Sequence, residues 1–250
     1  VGRHDRIAEL TALETPDGGG PLEVADLGTG YGRTVRAILR AAEAAAVPLR
    51  VHAVDVSSSL DDDLLHDQRV RSVIADLDDP LPFADASLHR IVSINVAEHL
   101  ADPRAHVVEC HRVLRPGGLL VLAHSDWDTV LFTSDDDALT RRLVDRFVVT
   151  VPTWADRADG FMGRKLLTLA AAAPFEVADV VTWADCHRRF DEDSVAWKVT
   201  RGVLAAAAGD ADLAAQAEQW VRSLRRLSDE NRFLFTVTDV VAVLRRPPAG

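Results

Sequence analysis

An apolar run that passes straight into three closely spaced glycines limits most sharply what this chain can become. In Val24-Ala25-Asp26-Leu27-Gly28-Thr29-Gly30-Tyr31-Gly32, the buried-strand pattern of Leu22–Leu27 ends at Gly28. An alanine-rich stretch with Val35, Ile38 and Leu39 at helical spacing begins at Arg33. Glycines at a strand-to-helix junction let the backbone turn sharply and let a ligand approach the main chain. A purely structural turn has the same composition, so the spacing has to narrow the choice. A dinucleotide fingerprint needs Gly-x-Gly-x-x-Gly; here the third glycine falls one residue early, at Gly32, and Arg33 stands in its place. A phosphate loop needs Gly-Lys-Ser/Thr, which does not follow.

The rhythm around this turn predicts an α/β chain. Strands are expected at 22–27, 50–54, 70–75, 88–94 and 118–123, with helical patterns between them, notably 33–46 and 103–114. Arg115-Pro116-Gly117-Gly118 is expected to stop the second of these helices. Strands and helices alternating at this spacing imply βαβ units and a parallel, doubly wound, Rossmann-like sheet. Beyond residue 123 the pattern changes. Helices are expected at 135–149, 164–173, 193–208 and 210–228, with further strands at 175–183 and 233–244. The reading is a single domain over residues 1–250. Its core covers roughly 20–125, 174–183 and 231–246, and helical lid insertions cover roughly 134–173 and 191–229. The first insertion carries Trp154, Phe161 and Met162, with Gly160 and Gly163 as hinge positions; Trp220 is expected in the lid core.

Carboxylates recur at the ends of the expected strands. Asp55, followed by Val56, ends the second strand roughly 25 residues after the glycines, where a carboxylate can accept the ribose hydroxyls of an adenosine. Asp76 and Leu77 follow the third strand, where a carboxylate can accept an adenine amino group. A solvated strand-end aspartate is the other reading of Asp55, and Asp78 and Asp79 read as plain surface charges.

Taken together, these stretches resemble the class I S-adenosylmethionine-dependent methyltransferases, and in particular their UbiE/COQ5-like branch. The matching segments, in the family's order, are Val24–Gly32, Val54-Asp55-Val56-Ser57, Ala75-Asp76-Leu77, Leu81–Leu88, Ile91–Leu100 and Arg112–Val121. The resemblance implies a seven-stranded sheet whose last strand is antiparallel, with S-adenosylmethionine as cofactor. It implies that Gly28, Gly30 and Gly32, with Thr29, hold the methionine end, and that Asp26 lies under the loop and helps hold the methionine ammonium. Asp55 and Val56 would meet the ribose, Asp76 and Leu77 the adenine, and Asn95 would line the pocket. Tyr31 and Arg33 are open to two roles, closing over the methionine carboxylate or lying on a helix surface.

Methyl transfer from a sulfonium is an in-line substitution that requires alignment more than a fixed catalytic motif. A base is needed only where the nucleophile must lose a proton. The candidates lie at the carboxyl ends of the fourth and fifth strands: His99, Asp126 and Asp128 as bases, and His124, Trp127 and Phe161 as substrate contacts. Each has a plain structural alternative in capping or packing. The expected substrate is a small molecule such as a secondary metabolite, quinone or amine. A non-methylating reaction on the same cofactor, such as a cyclisation, or a cofactor-binding regulatory module, is the alternative.

Composition excludes several classes. A formal net charge of -11 repels phosphate backbones, so nucleic acid is not expected as a partner. Cys110 and Cys186 form no CxxC pattern, no metal site is expected, and a reducing cytoplasm is the default compartment. No apolar run is long enough for a membrane span. Oligomeric state is left open, with a homodimer among the options.

Overall fold

The computed structural model describes residues 2–16, 19–151 and 156–248; Trp154 of the first expected insertion lies outside the described residues. The chain divides into two compact units. The first comprises 1–124, 165–181 and 241–250, and the second 125–164 and 182–240.

The first unit begins with helix α1 (Arg3–Leu10) and strand β1 (Leu22–Leu27), followed by α2 (Arg33–Ala45), β2 (Leu49–Asp55), the short α3 (Asp62–Leu65) and β3 (Val70–Ile74). Then come β4 (Leu88–Ile94), a 3-10 turn at Ala97–His99 and α4 (Pro103–Val113). The pairings are parallel: Val24 stands opposite Val51 on one side and Arg90 on the other, and Val51 opposite Val70. Val24, Ala25 and Leu27 are fully buried in an interior strand paired to β2 and β4, which is why its sequence reads as a nearly continuous apolar run. Asp102 caps α4 by accepting from the N–H groups of Arg104 and Ala105, and Pro103 takes the first helical position, where its missing N–H costs nothing.

The seven strands run in the order β3-β2-β1-β4-β5-β7-β6. The chain therefore moves outward from β1 to β3, then returns to the other side of β1 with β4. That reversal is the switch point at which open α/β sheets bind ligands, beyond the carboxyl ends of the strands.

Strand β5 (Leu114–Phe132) is much longer than the expected 118–123. It starts at Leu114, opposite Leu88, whereas Arg90 stands opposite Leu119, so Arg115–Gly118 form an irregularity within the strand rather than a turn before it. Its far end pairs with β7 (Phe235–Arg245). The Thr133 N–H donates to the Leu234 carbonyl, and at the other end the Gly117 N–H donates to the Arg246 carbonyl. The start of β5 meets the end of β7, so the last strand is antiparallel, and the sheet is the seven-stranded mixed sheet that the resemblance implied. Strand β6 (Glu176–His187) takes the edge. The short helix α6 (Leu166–Ala170) lies in the first unit and packs against α4.

The second unit is built around α5 (Asp137–Val148), α7 (Val195–Ala207) and α8 (Ala211–Asp229). Asp136, Ser194 and Asp210 cap the three helices with side-chain acceptors. Trp220 lies in the core, as expected, with its ring centroid 4.9 Å from Phe132 and its Nε1–H donating to Thr140 Oγ1 at 2.8 Å. Among the described residues, no helix is long and apolar enough to cross a membrane.

Candidate cofactor and active site

The turn after β1 has a left-handed backbone at every glycine: φ is +72° at Gly28, +51° at Gly30 and +84° at Gly32. A Cβ on Gly28 would run into the Val96 side chain, and one on Gly32 into Leu60 and Leu64, so both positions are closed to side chains. A Cβ on Gly30 would meet nothing within 4 Å. Gly30 therefore keeps space open rather than allowing the chain to pack. Gly32 is the N-cap of α2 and supplies no side-chain cap, which leaves that helix's first N–H groups facing the loop.

Two carboxylates flank this loop. Asp26 is buried, and the Thr29 hydroxyl donates to its Oδ2 at 2.7 Å. Burial pushes its pKa up to about 7; the Thr29 hydrogen bond pulls the other way and the nearby Asp55 charge adds to the rise. Asp55, at the end of β2, accepts from the Gly30 N–H at 2.8 Å through Oδ2, and the Ser57 N–H approaches Oδ1 at 3.4 Å. Val56 beside it is exposed. Asp76 is exposed beyond the end of β3, with Oδ1 accepting from the Asp78 N–H at 3.0 Å, and Leu77 is half-buried. Asn95 follows β4 in a left-handed conformation (φ +54°) with its N–H on the Ala123 carbonyl. The structure thus brings the expected cofactor positions, from Asp26 to Asn95, to the carboxyl ends of β1 to β4 in the first unit.

His99 ends the 3-10 turn after β4, and His124 is fully buried on β5. Between them lies Glu98, a buried residue that the sequence pattern did not single out. Its Oε1 is 3.5 Å from His99 Nε2 and 3.6 Å from His124 Nε2, longer than a short hydrogen bond. The available signal was an acidic residue one turn beyond a buried strand, next to a histidine.

The other candidates belong to the second unit. Asp126 is buried and accepts from the N–H, Nε and a terminal nitrogen of Arg164, at 2.9, 2.8 and 2.7 Å. Asp128 is shared by Arg164 and Arg141, both at 3.0 Å, and these guanidinium groups hold its carboxyl below the usual range. Both carboxylates are engaged by arginines. Trp127 is half-buried, its N–H donates to the Gly160 carbonyl, and its ring meets Phe147 edge-on. Phe161 packs under the Arg164 guanidinium, 5.1 Å from ring centroid to carbon. Gly163 has no room for a Cβ against the Asp126 backbone. The Gly163-Arg164 pair is therefore a clasp on β5.

Residues 25–122 match the family described as a methyltransferase domain. A 37.1 kDa protein of transposon TN4556 from Streptomyces fradiae is 32% identical over 179 residues, covering 69% of this chain and 48% of that protein. A methyltransferase of Mycobacterium sp. (strain KMS) is 53% identical over 47 residues, 19% of each chain. The chain thus spans half or less of the length of these relatives. Among solved structures, YcgJ from Bacillus subtilis superimposes with a TM-score of 0.61 at 18% identity, covering 99% of this chain and 100% of that one. The [4+2]-cyclase SpnF gives 0.54 at 18% identity, covering 98% and 81%. A geranyl diphosphate methyltransferase in complex with GPP and sinefungin gives 0.55 at 14% identity, covering 98% and 77%. The fold, the glycine turn and the family match agree: residues 25–122 match a methyltransferase domain, and S-adenosylmethionine is the cofactor that goes with such a domain.

Proposed function

We propose that the chain is a small-molecule methyltransferase of the UbiE/COQ5-like branch, acting on a secondary metabolite, quinone or amine in the cytoplasm. The observation that carries this reading is the open space at Gly30, set between the buried Asp26 and the strand-end Asp55. When bound, the cofactor supplies an electrophilic methyl group on a sulfonium. The loop glycines and Thr29 receive its methionine end, and Asp26 faces the ammonium. Asp55 with Val56 holds the ribose, Asp76 with Leu77 reads the adenine, and Asn95 lines the wall between.

Where the acceptor must lose a proton, His99 takes it, and the Glu98 carboxylate 3.5 Å away compensates the imidazolium charge that results. His124, on the other side of the same carboxylate, contacts the acceptor or fixes Glu98. The commitment of Asp126 and Asp128 to arginines favours His99 over both.

The test is incubation of purified protein and S-adenosylmethionine with a panel of quinones, phenols and amines. S-adenosylhomocysteine, together with a product heavier by one methylene, is the expected result. His99→Ala should lose product while retaining the cofactor. Methylthioadenosine, or an isomerised acceptor without S-adenosylhomocysteine, would replace this reading with a cyclisation or rearrangement.

A further inference from the structure

Resting on the reading of Asp76 given above, we propose that Asp78 is a positioning residue for adenine recognition. It holds one carboxylate oxygen of Asp76, so that the other is presented to the adenine amino group. The sequence marks Asp78 only as a surface charge; its hydrogen bonds give it this second role.

Two bonds meet at Asp78. Its N–H donates to Asp76 Oδ1 at 3.0 Å, and its own Oδ1 accepts from the Ala101 N–H at 2.7 Å. Ala101 stands next to Asp102, the N-cap of α4. The Asp76 carboxylate is thus tied, through a single residue, to the start of a helix. The Asp79 N–H, on the Asp76 carbonyl at 3.3 Å, closes the turn. Asp76 Oδ2 accepts no hydrogen bond among the described residues.

The chain beyond Asp78 is laid along the same helix. Glu109 accepts from the Leu81 N–H at 3.0 Å, and Arg112 donates to the Leu81 and Phe83 carbonyls at 3.1 and 3.0 Å. Arg112 also pairs with Asp85 and Glu109, both at 2.7 Å. His106 lies buried on α4 against the Leu77 backbone. With its surroundings held in this way, the exposed Asp76 side chain is the part left to be oriented. A rotating carboxylate loses conformational freedom when it meets a ligand, and that loss weakens binding. The Asp78 N–H settles the orientation before the ligand arrives. Because the two oxygens of a carboxylate share one plane, holding Oδ1 also limits where Oδ2 points. Truncating Asp78 leaves its N–H in the chain but releases that N–H from α4.

The experiment reads discrimination at the adenine amino group. S-adenosylmethionine and its 6-deamino analogue, in which hydrogen replaces that group, are titrated calorimetrically into the unmodified protein, Asp78→Ala, Asp78→Asn, Asp76→Ala and the double variant Asp76→Ala/Asp78→Ala. The unmodified protein should prefer S-adenosylmethionine by about tenfold or more, as expected for a hydrogen bond to a charged acceptor. Asp78→Ala should cut that preference about fivefold, weakening S-adenosylmethionine and leaving the analogue unchanged. Asp78→Asn should keep it, since an amide oxygen still accepts from the Ala101 N–H. On the Asp76→Ala background, Asp78→Ala should have no further effect. An equal loss for both ligands in Asp78→Ala, an intact preference in that variant, or a further loss on the Asp76→Ala background would overturn the role of Asp78 and leave Asp76 as the reader. A preference missing from the unmodified protein would remove the reading of Asp76 and this proposal together. No binding of either ligand by the unmodified protein would refute the cofactor reading itself.

Discussion

Arg164 closes on Asp126 from three sides: its own N–H, its Nε and a terminal nitrogen all donate to the two oxygens of a carboxylate that is almost fully buried. A buried carboxylate tolerates that position only because it is paired. Replacing Arg164 by Ala leaves the charge with one backbone donor. The expected cost is about 3 kcal/mol, the low end for breaking a buried pair, since the Arg164 N–H remains. Urea unfolding should show that loss, while affinity for S-adenosylmethionine stays within about twofold. A large loss of affinity with unchanged stability would instead make the pair part of the binding site.

The glycine turn separates fold from binding at two positions. Gly32→Ala places a methyl group against Leu60 and Leu64 on a φ of +84°, and should lower the melting temperature. Gly30→Ala meets no neighbour, so its structural cost is the left-handed backbone alone, about 1 kcal/mol. Its effect should appear in calorimetry as loss of cofactor binding, because the new methyl occupies the space kept for the ligand. Gly30→Ala with undiminished affinity would place the ligand elsewhere.

Cofactor affinity should depend on pH through Asp26. Its folded pKa of about 7 stands above the ordinary 3.8, chiefly through burial, so the folded protein holds a proton here that the unfolded chain releases. Stability therefore falls as pH rises from 3.8 toward 7, the opposite of a salt-bridged aspartate. The ligand ammonium favours the ionised form, so binding should release a proton and tighten by about tenfold from pH 5.5 to 7. In Asp26→Asn that slope should vanish. A slope that persists in the variant would assign it to another group.

His106 should contribute to the loss of stability in acid. Burial on α4 pushes its pKa down to about 4, against the pull of the Leu77 backbone and of Asp78 and Glu109. The unfolded chain takes up the proton first, near 6.5, so stability present above that pH is lost as pH falls toward 4. The full loss is about 3.5 kcal/mol, at about 1.4 kcal/mol per pH unit. Unfolding free energies of His106→Leu should lack this part of the acid limb; an unchanged acid limb would contradict it.

The legible part of the fold was the part with strong period and strong punctuation. Strand β4 lies where its pattern put it, at Leu88–Ile94, and α2 starts at Arg33 because Gly32 marks the junction. Strand β5 was read as six residues because polar His124, Ser125, Asp126 and Asp128 break its apolar run. Ser125 and Asp126 sit in a strand because they find partners across space: Ser125 donates to Asp239 at 2.8 Å, and Asp126 has Arg164. Such partners lie 114 and 38 residues away, beyond any local pattern. The same holds for Glu98, since His124 reaches it from β5.

The central claim is that Asp55, beside the open Gly30, holds the ribose of S-adenosylmethionine. Calorimetric titration of the unmodified protein and of Asp55→Ala with S-adenosylmethionine tests it most directly. Binding by the former and a loss of about a hundredfold in the latter, as expected for removing a charged acceptor of two hydroxyls, is the predicted result. Equal affinity of the two proteins, or no binding by the unmodified one, would contradict it.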